Sequence, residues 1–155
     1  MGSLAGIRRH FPALRGDAPA YLDGAGGTQV PDKVIDAVTE SWTIGLGNVG
    51  GAFDASARSG RIVEAARGAV ADLLGGHPDG VVLGPNATTL TYRVANALAA
   101  TWRPGDEVVV SQLDHDANVR PWVQAAERVG AVVRWARVDP ATGELPPEQY
   151  DGLLG

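Results

Sequence analysis

The 155-residue sequence predicts an α/β fold, and three observations carry the prediction. Short apolar runs of strand length stand at Val81-Val82-Leu83 and Val108-Val109-Val110, and Ala131 to Val138 alternates. Between them lie segments whose apolar residues recur at three- and four-residue spacing, the mark of amphipathic helices. Gly and Pro clusters punctuate nearly every junction. Strand, helix, strand, helix, strand at this spacing is the βαβ pattern, with parallel strands and right-handed crossovers.

Residues 1 to 30 show little periodicity beyond Tyr21-Leu22, and Asp23-Gly24-Ala25-Gly26-Gly27 reads as a turn, so this segment is an N-terminal arm. Pro31-Asp32-Lys33 opens a helix that carries Val34, Ile35, Val38 and Trp42 on one side. Asp54 or Ser56 caps a second helix, whose stripe of Ile62, Ala65, Ala66, Ala69, Val70, Leu73 and Leu74 ends at Gly75-Gly76. Val81 to Leu83 reads as a buried strand, and Gly84-Pro85-Asn86-Ala87-Thr88-Thr89 leads into a helix through about Trp102. Glu107 to Val110 is the second strand, residues 117 to 129 a helix stopped by Gly130, and Ala131 to Val138 the third strand. A partial helix follows around Pro147 to Leu153. The expected organisation is an arm over 1–30 and part of a larger α/β domain over 31–155, with an uncovered sheet edge at its end.

Between the first two helices stands GLGNVGG, residues 45 to 51, which fits the dinucleotide fingerprint G-x-G-x-x-G. That motif cradles a pyrophosphate only where a strand turns into a helix. No strand precedes it, so among 21 glycines the match is a coincidence and an NAD site is not expected.

Composition narrows the function. The formal net charge is -5, and the arginines are scattered, so nucleic acid is not an expected partner. There is no cysteine, hence no disulfide, thiolate nucleophile or Cys-ligated zinc. No stretch reaches the roughly 20 apolar residues of a membrane span, and the first residues lack a signal-peptide core, so a cytoplasmic location is expected. Lys33 is the only lysine.

Ligands of open α/β sheets gather outside the carboxyl ends of the strands. Two loops meet that rule. In Gly84 to Thr89 the free amides at the start of the helix, with the hydroxyls of Thr88 and Thr89, suit a phosphate; the plainer alternative is that Asn86 or Thr88 only caps the helix. In the loop Leu113 to Asn118, His115 lies between two aspartates. It is open to reading as a general base, a metal ligand, a ring stacked on a cofactor, or a solvated loop residue. Metal is the weakest of these, because neighbouring side chains in Asp-His-Asp cannot all face one ion, and no metal site is expected.

Tyr21-Leu22-Asp23-Gly24-Ala25-Gly26, Gly84-Pro85-Asn86-Ala87-Thr88-Thr89, Gly105 to Val110 and Leu113-Asp114-His115-Asp116-Ala117-Asn118-Val119-Arg120-Pro121-Trp122 occur in this order. Together they resemble the cysteine desulfurase-like branch of the class V aminotransferases, pyridoxal-phosphate enzymes of fold type I. The resemblance runs from about residue 20 onward and implies the front part of that family's large domain.

It also implies roles. Ala87 and Thr88 match the segment that holds the cofactor phosphate, and His115 matches the histidine that stacks on the pyridine ring and assists proton transfer. Gly26 and Asn48 match positions near the substrate site, Asn48 also near the neighbouring subunit, while Asn118 matches a family position in the His115 loop, with a helix-capping or structural role as the alternative. An amino-acid substrate and a homodimer are implied likewise.

Two departures bear on the reaction. Desulfurases typically read Gly-Thr-Thr-Glu where Asn86-Ala87-Thr88-Thr89 stands, and often Glu-His-His where Asp114-His115-Asp116 stands. Transaminase, lyase and epimerase chemistry therefore stay open beside persulfide formation. Pyridoxal-phosphate chemistry also needs a Schiff-base lysine. In the family that lysine, the pyridine-binding Asp and the substrate-gripping Arg lie further along a longer chain. The expectation is an N-terminal portion, inactive alone. The alternative is a non-catalytic partner-binding subunit or a truncated remnant.

Overall fold

The computed structural model describes residues 4–153. The chain divides into two compact units, residues 1–78 and 79–155.

The first unit is helical. Helix α1 spans Leu4–Arg8, α2 Asp32–Ile44 and α3 Asp54–Leu74, with tight turns at Pro12–Leu14 and Gly24–Gly26. The arm is tied to the start of α2 through Asp32: its amide donates to the His10 carbonyl at 2.8 Å, and its carboxylate accepts from Arg15 at 3.1 Å. Helix α3 starts after Phe53, which supplies no side-chain cap. Asp54 is its first residue, and Ser56, expected as an alternative cap, lies inside the helix and is buried. At its other end Gly75 takes the left-handed conformation, φ 65°, and the Gly76 amide bonds back to the Ala71 carbonyl at 2.9 Å, closing a Schellman turn.

The second unit holds α4 (Ala87–Ala99), β1 (Glu107–Ser111), α5 (Arg120–Val129) and β2 (Val132–Ala136). The strands pair in parallel, Glu107 opposite Val132 and Ser111 opposite Ala136. Arg134 bridges to the Glu107 carboxylate across them. The fold is therefore mixed α/β, as the βαβ reading predicts, but rich in helix, with a small two-stranded parallel sheet among the described residues.

The core of this unit is built from alanines. Ala95, Ala99 and Ala125 are buried where α4 meets α5, with Trp102, Trp122 and Val129 packed around them. Small side chains at such a contact let helix axes approach closely. Gly130, at φ 73°, ends α5 in a second Schellman turn, its neighbour Ala131 donating to the Ala126 carbonyl at 3.0 Å.

Four expectations need correction. Val81 to Leu83 is not a strand: no ladder partner lies beside it among the described residues, and Val82 and Leu83 are exposed rather than buried. The expected helix 117–129 is two pieces, a 3-10 turn at Asp116–Asn118 and α5 from Arg120. Pro121 has no amide proton to give the Ala117 carbonyl, so the helix restarts just before it, where Pro is tolerated. Helix α4 closes at Ala99, three residues early, through tighter bonds from Thr101 to Leu98 and from Trp102 to Ala99. Near the end, Pro147–Tyr150 makes a 3-10 turn instead of a helix.

Candidate functional site

At the start of α4, Asn86 is extended, and its side-chain oxygen accepts from the Thr89 amide at 2.8 Å. A helix leaves its first amides without intrahelical acceptors, and this cap satisfies one of them. The amides of Ala87 and Thr88 keep no acceptor among the described residues, and both residues are exposed. Capping and anion binding, alternatives on sequence grounds, are thus compatible. Gly84 holds the approach to this turn. A Cβ there would stand 2.6 Å from a Leu90 methyl, so the strand of backbone passes where only glycine fits without displacing that side chain.

The second loop follows β1. Ser111 is buried at the strand end, and its hydroxyl is the hub of the turn. It donates to one Asp114 carboxylate oxygen and accepts from the amides of Leu113 and Asp114 at 3.2 and 3.0 Å. The other Asp114 oxygen accepts from Asn118 Nδ2 at 3.3 Å, and Asn118 Oδ1 accepts from the Trp122 indole at 3.2 Å. A polar chain therefore runs from the strand end to the first turn of α5. His115 projects from this frame into solvent, its Nδ1 accepting from the Ala117 amide at 3.1 Å.

The neighbouring carboxylate is engaged elsewhere. Arg120 Nε donates to Asp116 at 2.8 Å, and this hydrogen bond is the main cause holding the Asp116 carboxyl below its ordinary range and Arg120 above its own. A smaller attraction to Tyr92 of α4 acts on Arg120 in the same direction. The 3-10 turn after His115 packs on α4 and on α5. A cavity of about 380 Å³ beside β1 is lined by Ser111, Asp114, Asn118, Trp122, Trp102 and Tyr150 among others, but by neither Thr88 nor His115.

The other expected site residues lie in the first unit. Gly26 ends the turn Gly24–Gly26, and a Cβ there would meet open space, so no close contact in this chain demands glycine. Asn48 is exposed in the glycine loop. That loop is stapled to α3: the Gly47 amide donates to Ser59 Oγ at 3.1 Å, the Gly51 amide to Ser56 Oγ at 2.7 Å, and Arg58 Nε to the Gly45 carbonyl at 2.9 Å. Two amides of the loop are thus held by hydroxyls of α3. Lys33 is exposed on α2.

Sequence reasoning passed over Ser111 and the structural part played by Asp114. The spacing Ser-x-x-Asp at a strand end was the available signal, since a hydroxyl and a carboxylate three residues apart can close a turn on each other. Among the described residues no three His, Asp or Glu come together as a metal ion would require, and no helix is long and apolar enough to cross a membrane.

A helix start with two open amides and an imidazole displayed after a parallel strand thus lie in one compact α/β unit. The comparisons give the family. A profile described as Aminotransferase class-V matches residues 20–154, and the chain belongs to that family. It is 40% identical over 151 residues, 97% of this chain and 38% of the relative, to an uncharacterized protein of Mycobacterium tuberculosis. It is 36% identical over 132 residues to the cysteine desulfurase CsdA of Escherichia coli, covering 83% of this chain and 33% of the relative. The crystal structure of that desulfurase superposes with a TM-score of 0.74 at 33% identity, over 90% of this chain and 36% of that one. The apo cysteine desulfurase of Thermococcus onnurineus shares the fold, with a TM-score of 0.87 at 23% identity, over 99% of this chain and 38% of that one. The chain is thus cysteine desulfurase-like and spans well under half the length of these relatives.

Proposed function

We propose that this chain supplies the phosphate and ring side of the pocket of a pyridoxal-phosphate enzyme acting on an amino acid, of cysteine desulfurase or class V aminotransferase type. The observation that carries this reading is the capped start of α4, where the amides of Ala87 and Thr88 remain without acceptors beside the Thr88 hydroxyl. These groups fit a phosphate: two donors, a hydroxyl and the positive end of a helix dipole. The exposed His115 ring suits a flat aromatic face. Bound there, the cofactor would supply an electron sink for cleaving a bond to the amino acid's α-carbon or a substituent.

The residues do not supply every group such a cofactor uses. Lys33 is the sole lysine and stands at the start of α2. In this reading the reactive amine, the acid for the pyridine nitrogen and the substrate arginine come from outside these 155 residues, and this chain alone binds without turning over. Gly26 would line the substrate site, and Asn48 would face substrate or the second subunit of a homodimer in the cytoplasm.

The test is pyridoxal phosphate binding by the chain and by Ala87→Pro. Proline is favoured at the first position of a helix, and Asn86 before it is already extended, so the variant should fold while losing one donor. Weaker binding by the variant at unchanged melting temperature is expected. Equal binding by both, or none by the parent, would sink the reading.

The second reading, a partner-binding subunit, is favoured by the apolar residues of α2, where Val34, Ile35 and Val38 are exposed and Trp42 is 76% exposed. Light scattering separates the two: one defined oligomer supports a homodimer, whereas a monomer that recovers a different chain supports the subunit.

A further inference from the structure

In serine-hydrolase triads a carboxylate accepts the Nδ1 proton of a histidine and leaves the Nε2 lone pair free to act as a base. The turn around His115 is wired the other way. The group facing its Nδ1 is a donor, the Ala117 amide, at 3.1 Å. A neutral imidazole carries one proton, so when Nδ1 accepts, the proton sits on Nε2. Neither flanking carboxylate takes up the usual orienting role: the Asp114 oxygens accept from Ser111 and Asn118, and Asp116 is bound by Arg120.

We propose that neutral His115 is held as the Nε2–H tautomer by the Ala117 amide, so that it offers bound ligands a hydrogen-bond donor and no free lone pair, with Asp114 as the positioning residue. The inference deepens the pocket reading above and rests on it for the identity of the ligand, but the tautomer itself does not depend on any ligand. Asp114 acts at one remove. Through Ser111 it fixes the strand end, and through Asn118 and Trp122 it fixes the start of α5. Between those two anchors the backbone closes on itself, the Asn118 amide donating to the His115 carbonyl at 2.8 Å and Val119 to the Asp116 carbonyl at 3.1 Å. This closure aims the Ala117 amide at the ring. In this tautomer His115 presents its Nε2–H to what lies against it, orienting and polarising an acceptor there.

The experiment is long-range proton–nitrogen correlation spectroscopy on the ¹⁵N-histidine-labelled chain at about pH 8.5, where an ordinary histidine is neutral. His115→Gln assigns the His115 signals by their loss. The expected result is two widely separated ring-nitrogen resonances with the proton on Nε2. Asp114→Ala should collapse them toward the averaged pattern of a freely exchanging imidazole. An Nδ1–H tautomer or an averaged pattern in the parent chain overturns the tautomer assignment. An unchanged Nε2–H pattern in Asp114→Ala removes Asp114 from its positioning role. Failure of pyridoxal phosphate to bind would strike the pocket reading and leave these spectra untouched.

Discussion

The Asn86 side chain closes on the Thr89 amide at 2.8 Å and leaves the two preceding amides of α4 open. Stability and anion binding meet in that one turn, and substitutions can pull them apart. Asn86→Ala should cost about 1 kcal/mol, the usual value of a lost cap, in urea unfolding. Asn86→Asp keeps the cap and places a negative charge at the helix start, so it should hold stability while weakening phosphate binding through repulsion. A loss of stability in Asp equal to that in Ala would contradict this account.

The glycine loop depends on two hydroxyls of α3. Ser56 is 1% exposed and accepts from the Gly51 amide. Ser56→Ala takes the acceptor from that amide and should cost about 1 kcal/mol, the usual net value of such a hydrogen bond. Hydrogen exchange at Gly51 should quicken in the variant, and unchanged protection would show that the hydroxyl does not anchor the loop.

The contact between α4 and α5 has no room to spare. Ala125 is fully buried against a face that carries Ala95 and Ala99. Ala125→Leu should destabilise the second unit by about 1–3 kcal/mol through overpacking, measured by thermal unfolding of the chain. The Trp122 and Trp102 fluorescence, which reports this core, should change with it.

Acid should loosen the turn after His115. Asp116 is held below the ordinary aspartate value of about 3.9 chiefly by its hydrogen bond from Arg120. A depressed folded-state value stabilises the fold above the unfolded-state value, and the gain is lost as pH falls through the folded one. Both side chains are open to solvent, so the effect is small and salt-sensitive. Arg120→Gln should flatten the acid limb of a plot of melting temperature against pH, with no change near neutrality beyond that of a lost surface pair.

Much of this arrangement was legible in the residues. Helix α2, both Schellman glycines and β1 follow from apolar spacing and stop signals, because those segments carry their instructions locally. Val81 to Leu83 was misread since an apolar run states only that burial is wanted, while a strand also needs a neighbour to pair with, and none lies beside it here. The break at Val119 was signalled by Pro121 and outweighed by the helical spacing around it. At the site, the phosphate-type turn and His115 stand out by residue type, whereas Ser111 and Asp114 work through hydrogen bonds to backbone that only the folded turn brings into range.

Lys33 sits exposed on α2 as the only side-chain amine in the sequence. An amine-directed reagent can therefore mark the chain at one side chain, besides its α-amino group, without mutagenesis. A fluorophore placed there would report on the apolar helix that carries Trp42, and cross-linking from Lys33 would map whatever chain comes to rest on it. Reductive trapping of an aldehyde ligand has the same single side-chain address, so an adduct on any other lysine would have to come from a companion polypeptide.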